Sequence, residues 1–135
     1  IELIMVVVML GVLAVFAGPR ILSTGDFQAR GFHDETMSLL RYAQKSAIAQ
    51  RRTVCVALND TGVTLTMDTA AVPDGACDAT LAPPNAPRSG SGLNGSVAAF
   101  KYSALGSTNQ TNNVLITISA STPITVDAAT GYVYD

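Results

Sequence analysis

Ile1 to Pro19 reads IELIMVVVMLGVLAVFAGP, apolar or glycine throughout except for Glu2 and the closing proline. From Leu3 to Ala17 the run is uncharged, long enough for roughly 22 Å of helix at 1.5 Å per residue. A lone membrane span asks for about 20 residues across a core near 30 Å. The run is therefore slightly short of a full span. A secretory signal would carry a basic segment before the apolar run and a small-residue cleavage site after it. Neither is present, so the expectation is a retained hydrophobic helix, with something removed before Ile1.

Outward from this run the chain changes character. Beyond Arg20 it is an ordinary mixture of polar and apolar residues. The 135 residues allow one head domain and little more. Charged residues make up only 13%, there is no Trp, and net charge is −2. A zinc site would need nearly every candidate ligand, and His33, Cys55 and Cys77 fit no finger spacing. Asp60, Asp74 and Asp78 read as loop acids without calcium-loop spacing. Gly90 to Gly95 is glycine-rich but leads no strand into a helix, so it is not a phosphate loop. The expectation is a chain with no catalytic residues, no metal and no cofactor.

Glu2 is the exception inside the apolar run. A carboxylate at the centre of a membrane helix costs about 2.5–3.5 kcal/mol, and less near an end. It either sits cheaply at an interface or awaits a cation, worth about 4 kcal/mol at 4 Å for an effective dielectric near 20. Position alone leaves both open.

This stretch resembles the N-terminal signature of type IV pilins and pseudopilins. The resemblance implies that three mature residues (an aromatic, Thr and Leu) precede Ile1. It also implies that Glu2 neutralises the N-methylated amino terminus of a neighbouring subunit, and it matches Gly11 and Pro19 to a Gly and a Pro of the family's helix. Gly11, Gly18 and Pro19 weaken that helix. Interior Gly costs about 1 kcal/mol and interior Pro about 3 kcal/mol relative to Ala. The segment either kinks at Pro19 or loses helical hydrogen bonding between about Gly11 and Pro19 when stalks pack in a fibre.

Arg20 to Arg52 reads as further helix, softened at Ser23-Thr24-Gly25-Asp26 and at Gly31. Phe32, Leu39, Leu40, Ala43, Ala47 and Ile48 share one face, with Arg41, Lys45, Arg51 and Arg52 elsewhere or at the end. Alternation then replaces the helical period. Thr53–Leu58 and Val63–Met67 flank the hairpin signal Asn59-Asp60-Thr61-Gly62. Residues 68–96 read as a long loop, with Pro73, Gly75, Pro83, Pro84 and Pro87. Val97–Ser103, Asn113–Ala120 and Ile124–Asp127 read as strands, closed by a turn at Thr130-Gly131 and a last strand. The helix end Tyr42–Arg52 and the strand pattern through Thr130-Gly131-Tyr132-Val133 resemble the GspH/FimT group of pseudopilins. The fold expected is α+β: a hydrophobic helical stalk over residues 1–22, an amphipathic helix over 23–52, and a small antiparallel β head over 53–135.

A head exported from the cytoplasm would fold where disulfides persist, and Cys55 and Cys77 are its two cysteines. They are expected to pair, with two free buried thiols as the alternative. Three triplets fit the glycosylation acceptor pattern, at Asn59, Asn94 and Asn109, and plain polar loops explain each as well. Residues 1–52 carry a net +2 and residues 53–135 a net −4, with no Arg or Lys after Lys101. Such a head repels phosphate, so nucleic acid is not expected as a partner.

The function implied is that of a structural subunit of a type IV pilus or pilus-like filament. Its partners would be identical or related pilin subunits, inner-membrane lipid before assembly, a prepilin peptidase and an assembly platform. Its location would be the inner membrane and then an extracellular fibre. The alternatives are a GspH-like minor pseudopilin of a type II secretion system, in a periplasmic pseudopilus, and a DNA-uptake or adhesion minor pilin.

Overall fold

The computed structural model describes the backbone of residues 1–21, 24–119 and 121–135; the side chains of 16–21, 24 and 26 lie outside what it describes. Two helices come first, α1 (Glu2–Ile21) and α2 (Thr24–Gln50). Eight strands follow: β1 (Val54–Asn59), β2 (Gly62–Met67), β3 (Ala79–Thr80), β4 (Leu93–Gly95), β5 (Ala99–Tyr102), β6 (Val114–Ile118), β7 (Ile124–Val126) and β8 (Val133–Tyr134). They form two four-stranded antiparallel sheets, in the orders β3-β2-β1-β5 and β4-β6-β7-β8. The fold is α+β, an N-terminal helix leading into antiparallel sheets, as the sequence predicts.

Alternation decides which strand residues face the core. Val54 and Val56, Phe100 and Tyr102, Val114, Ile116 and Ile118, and Ile124 and Val126 are buried, while the residues between them point away. From α2, Phe32, Leu39, Leu40, Ala43 and Ala47 close this core, at the spacing of one helical face. The hairpin falls where its turn residues place it, with Asn59 opposite Gly62. Asn59 Oδ1 accepts from the Thr61 N–H at 3.1 Å and from its hydroxyl at 2.9 Å.

Two expectations need correcting. The stretch 68–96 is not wholly loop, since it contributes β3 and β4. β4 is held by long-range bonds that local composition does not announce: the Gly92 N–H donates to Asp60 Oδ1 at 3.0 Å and the Leu93 N–H to the Asp60 carbonyl at 3.3 Å. The apolar face is also displaced: Ile48 is 48% exposed, whereas His33, Thr36, Met37 and Ser46 are buried. The cause is that α2 packs on strands of both sheets, which widens the stripe that leaves water.

α2 ends in a Schellman turn. The Arg52 N–H donates to the Ala47 carbonyl at 3.1 Å and the Arg51 N–H to the Ile48 carbonyl at 3.3 Å. Arg51 occupies the left-handed position with φ 51°, where glycine is the usual choice. Gly131 also has positive φ (69°), and a Cβ there would run into the Gly106 carbonyl oxygen and crowd Tyr102. Two side chains of α2 tie the end of the chain to the helix. Gln44 Nε2 donates to the carbonyls of Gly106 (3.1 Å) and Thr130 (2.9 Å), and Arg41 donates to the Val133 carbonyl at 3.0 and 3.3 Å.

Candidate assembly surface

α1 is helical from Glu2 to Ile21, across Gly11, Gly18 and Pro19. Every described large apolar side chain from Leu3 to Val15 is exposed. So continuous an apolar surface has no counterpart on a monomeric soluble domain, and it marks a face that meets lipid or protein. Among the described residues no helix is long and apolar enough to cross a membrane. Glu2 stands in the first turn and is exposed, where a carboxylate favours the helix dipole. Gly11 faces open space. The surroundings of Gly18 and Pro19, and Leu22 and Ser23 at the expected stalk boundary, lie outside the described residues.

At the far end of α2 the head carries its one described cross-link. Cys55 and Cys77 form a disulfide, with Cα atoms 6.1 Å apart, as the sequence predicts. Closing this 22-residue separation stabilises the head by roughly 3.4 kcal/mol in the chain-entropy model. Cys55 lies on the outward face of β1, so the bridge holds the loop after β2 over that face.

The loop has a second anchor that the sequence reading missed. Asp68 is fully buried. Its carboxylate accepts from the backbone N–H groups of Ala70 (3.0 Å), Gly75 (2.9 Å) and Asp74 (3.1 Å). Arg52 Nη1 lies 3.9 Å from it and also donates to the Ala70 carbonyl. A buried carboxylate is tolerable only when so paired. The signal available in the sequence was an acid directly after a strand and before a small-residue loop, which fits many unburied residues equally well.

The loop acids act as local clips. Asp78 accepts from the Thr69 N–H and hydroxyl, which hold its carboxyl below the usual carboxylate range. The Thr130 hydroxyl and N–H do the same for Asp127. Burial alone pushes the Tyr102 phenol well above its ordinary value, and its hydroxyl has no hydrogen-bond partner among the described residues. Among the described residues no three His, Cys, Asp or Glu side chains gather as a metal-binding set. Asn109 Oδ1 accepts from the Lys101 N–H at 2.8 Å and serves as a backbone surrogate beside β5.

No family model and no curated protein matches the sequence. Among solved structures the chain is similar to the type IV minor pilin FimU of Pseudomonas aeruginosa in two crystal forms. One matches with TM-score 0.58 at 17% identity over 82% of this chain and 90% of that one. The other matches with TM-score 0.54 at 16% identity over 78% of this chain and 90% of that one. At such identity the likeness shows the fold, which is type IV pilin-like.

Proposed function

We propose that the chain is a structural, non-enzymatic subunit of a type IV pilus or pilus-like filament that polymerises through α1. One observation carries this reading: an apolar helix exposed along its described length, joined to a folded head with a pilin-like fold. The helix needs a partner that the chain itself does not supply. Lipid of the inner membrane serves before assembly, and the stalks of identical or related subunits serve afterwards. Glu2 is the residue that would meet the amino terminus of a neighbour, and Gly11, Gly18 and Pro19 are the points at which a packed stalk would give up helix.

A minor subunit is the second reading, supported by the likeness to a minor pilin. A pseudopilus subunit of a type II secretion system shares the same architecture. Electron microscopy of fibres sheared from the source cell, with mass spectrometry of their protein, tests these readings. Long fibres made chiefly of this chain support a shaft subunit, and trace recovery beside another pilin supports a minor one. Absence of the chain from all fibres and envelope filaments would refute the proposal.

A further inference from the structure

The two ends of α2 carry unlike surfaces. At the N-terminal end Phe27 is 84% exposed and lies on a groove of about 940 Å³ between the first turns of the helix and the segment 88–91. Phe27, Ala29 and Phe32 give the groove an apolar wall, and Arg88 is the one charged residue among its described lining residues. The wall is set firmly. Gly90 lies so close to the Phe32 ring that a Cβ would have no room. The Arg88 N–H donates to Glu35 Oε1 at 2.5 Å, which fixes the backbone carrying the guanidinium.

Past the other end stands the disulfide-bonded loop. Its tip holds Val72, 79% exposed, followed by exposed Pro73 and Asp74. Asp68 binds the loop from inside, Cys77 ties its end to β1, and Lys101 Nζ donates to the Gly75 carbonyl at 2.7 Å. A branched apolar side chain on a pinned loop, two residues before a carboxylate, complements an aromatic groove whose one described charge is a guanidinium. Neighbouring charges are engaged within their own copy: Lys101 on Gly75, Arg52 on Ala70, Asp78 on Thr69 and Glu35 on the Arg88 N–H. Asp74 Oδ1 accepts from the Ala76 N–H at 2.8 Å, which sets the carboxylate at the tip, and its charge is opposite to that of Arg88.

We propose that the Val72–Asp74 tip of one copy docks in the Phe27/Arg88 groove of a second copy. Within one chain the two cannot meet, because α2 runs roughly 35 Å between Phe27 and Gln50 at 1.5 Å per residue. The contact is therefore heterologous, and each docked copy presents a fresh tip or groove, so in a filament, where the rotation does not close a ring, the row grows open-ended. This inference rests on the filament reading and adds a head-to-head contact to it.

The test uses the full-length chain in its fibres, with the native disulfide left oxidised. One tagged copy carries Phe27→Cys and a differently tagged copy carries Val72→Cys, and mild oxidation is applied. The expected product is a mixed cross-linked dimer, formed in preference to pairing of Phe27→Cys with Leu105→Cys, which is 90% exposed. Arg88→Asp is expected to lower the mixed product about tenfold, and adding Asp74→Arg to restore it. Intact fibres with no mixed product, or with one indifferent to both charge changes, overturn the docking and leave the filament reading standing. A chain that stays monomeric overturns both.

Discussion

α1 and α2 are both regular helices, but they differ in what holds them. Leu40 of α2 is fully buried and Leu10 of α1 is 61% exposed. α2 is covered by strands of both sheets and pinned at its end by Arg41, Gln44 and the Schellman turn. α1 has its own backbone bonds and, over its described side chains, an apolar surface without cover. Most helical stability in proteins comes from packing one face against a core. α2 therefore belongs to the fold of the chain, and α1 is the part left for the assembly proposed above.

The largest effect expected on this contrast is at Glu2. Glu2→Ala should abolish or strongly reduce fibres while the head keeps its circular dichroism spectrum and melting temperature. Normal fibre yield would remove the assembly role. Next comes a matched pair. Leu40→Ala should destabilise the isolated chain by about 2–5 kcal/mol, the range for a buried leucine. Leu10→Ala should leave that stability nearly unchanged and act only on fibres. Equal losses in denaturant unfolding would show that α1 is part of the core.

Removing the bridge with Cys55→Ser and Cys77→Ser together should lower head stability by roughly 3.4 kcal/mol, read from the shift in urea midpoint. Because Asp68 still holds the loop, its backbone amides should stay protected from exchange; full loss of protection would give the disulfide sole charge of the loop. A smaller change of opposite sign is expected at Tyr102. Tyr102→Phe removes a buried hydroxyl without a partner and should raise stability by about 1 kcal/mol. A loss of that size would mean the hydroxyl is bonded in solution.

The smallest effect concerns acid. Asp78 and Asp127 are held below their ordinary value of 3.8 in the folded head. The unfolded chain therefore binds protons first as pH falls. Their contribution is present above the unfolded value and lost as pH drops through the lower folded values. Asp78 is exposed and Asp127 half-buried, so solvent screens the effect. Asp78→Asn with Asp127→Asn should flatten the fall of the melting temperature in this acid range, and an unchanged slope would show that the clips contribute nothing.

What the sequence determined by itself was everything written in local periodicity. The apolar run at Leu3–Ala17, the turn at Asn59–Gly62 and the alternation of Val54, Val56, Ile116, Ile118, Ile124 and Val126 announce a stalk, a hairpin and sheets, because side-chain spacing repeats with the backbone. The Cys55–Cys77 pair was legible because the chain has no other cysteines. Tertiary structure alone decided the rest. β4 exists because Asp60 reaches it across the sequence, and Asp68 is buried because three backbone N–H groups and Arg52 converge on it. Thr36 and His33 leave water, and Ile48 does not, because two sheets flank α2. The Phe27 groove depends on Gly90 resting against Phe32, 58 positions away in the chain. These are encounters between distant segments, and no local period encodes which distant group will supply a hydrogen bond or exclude the solvent.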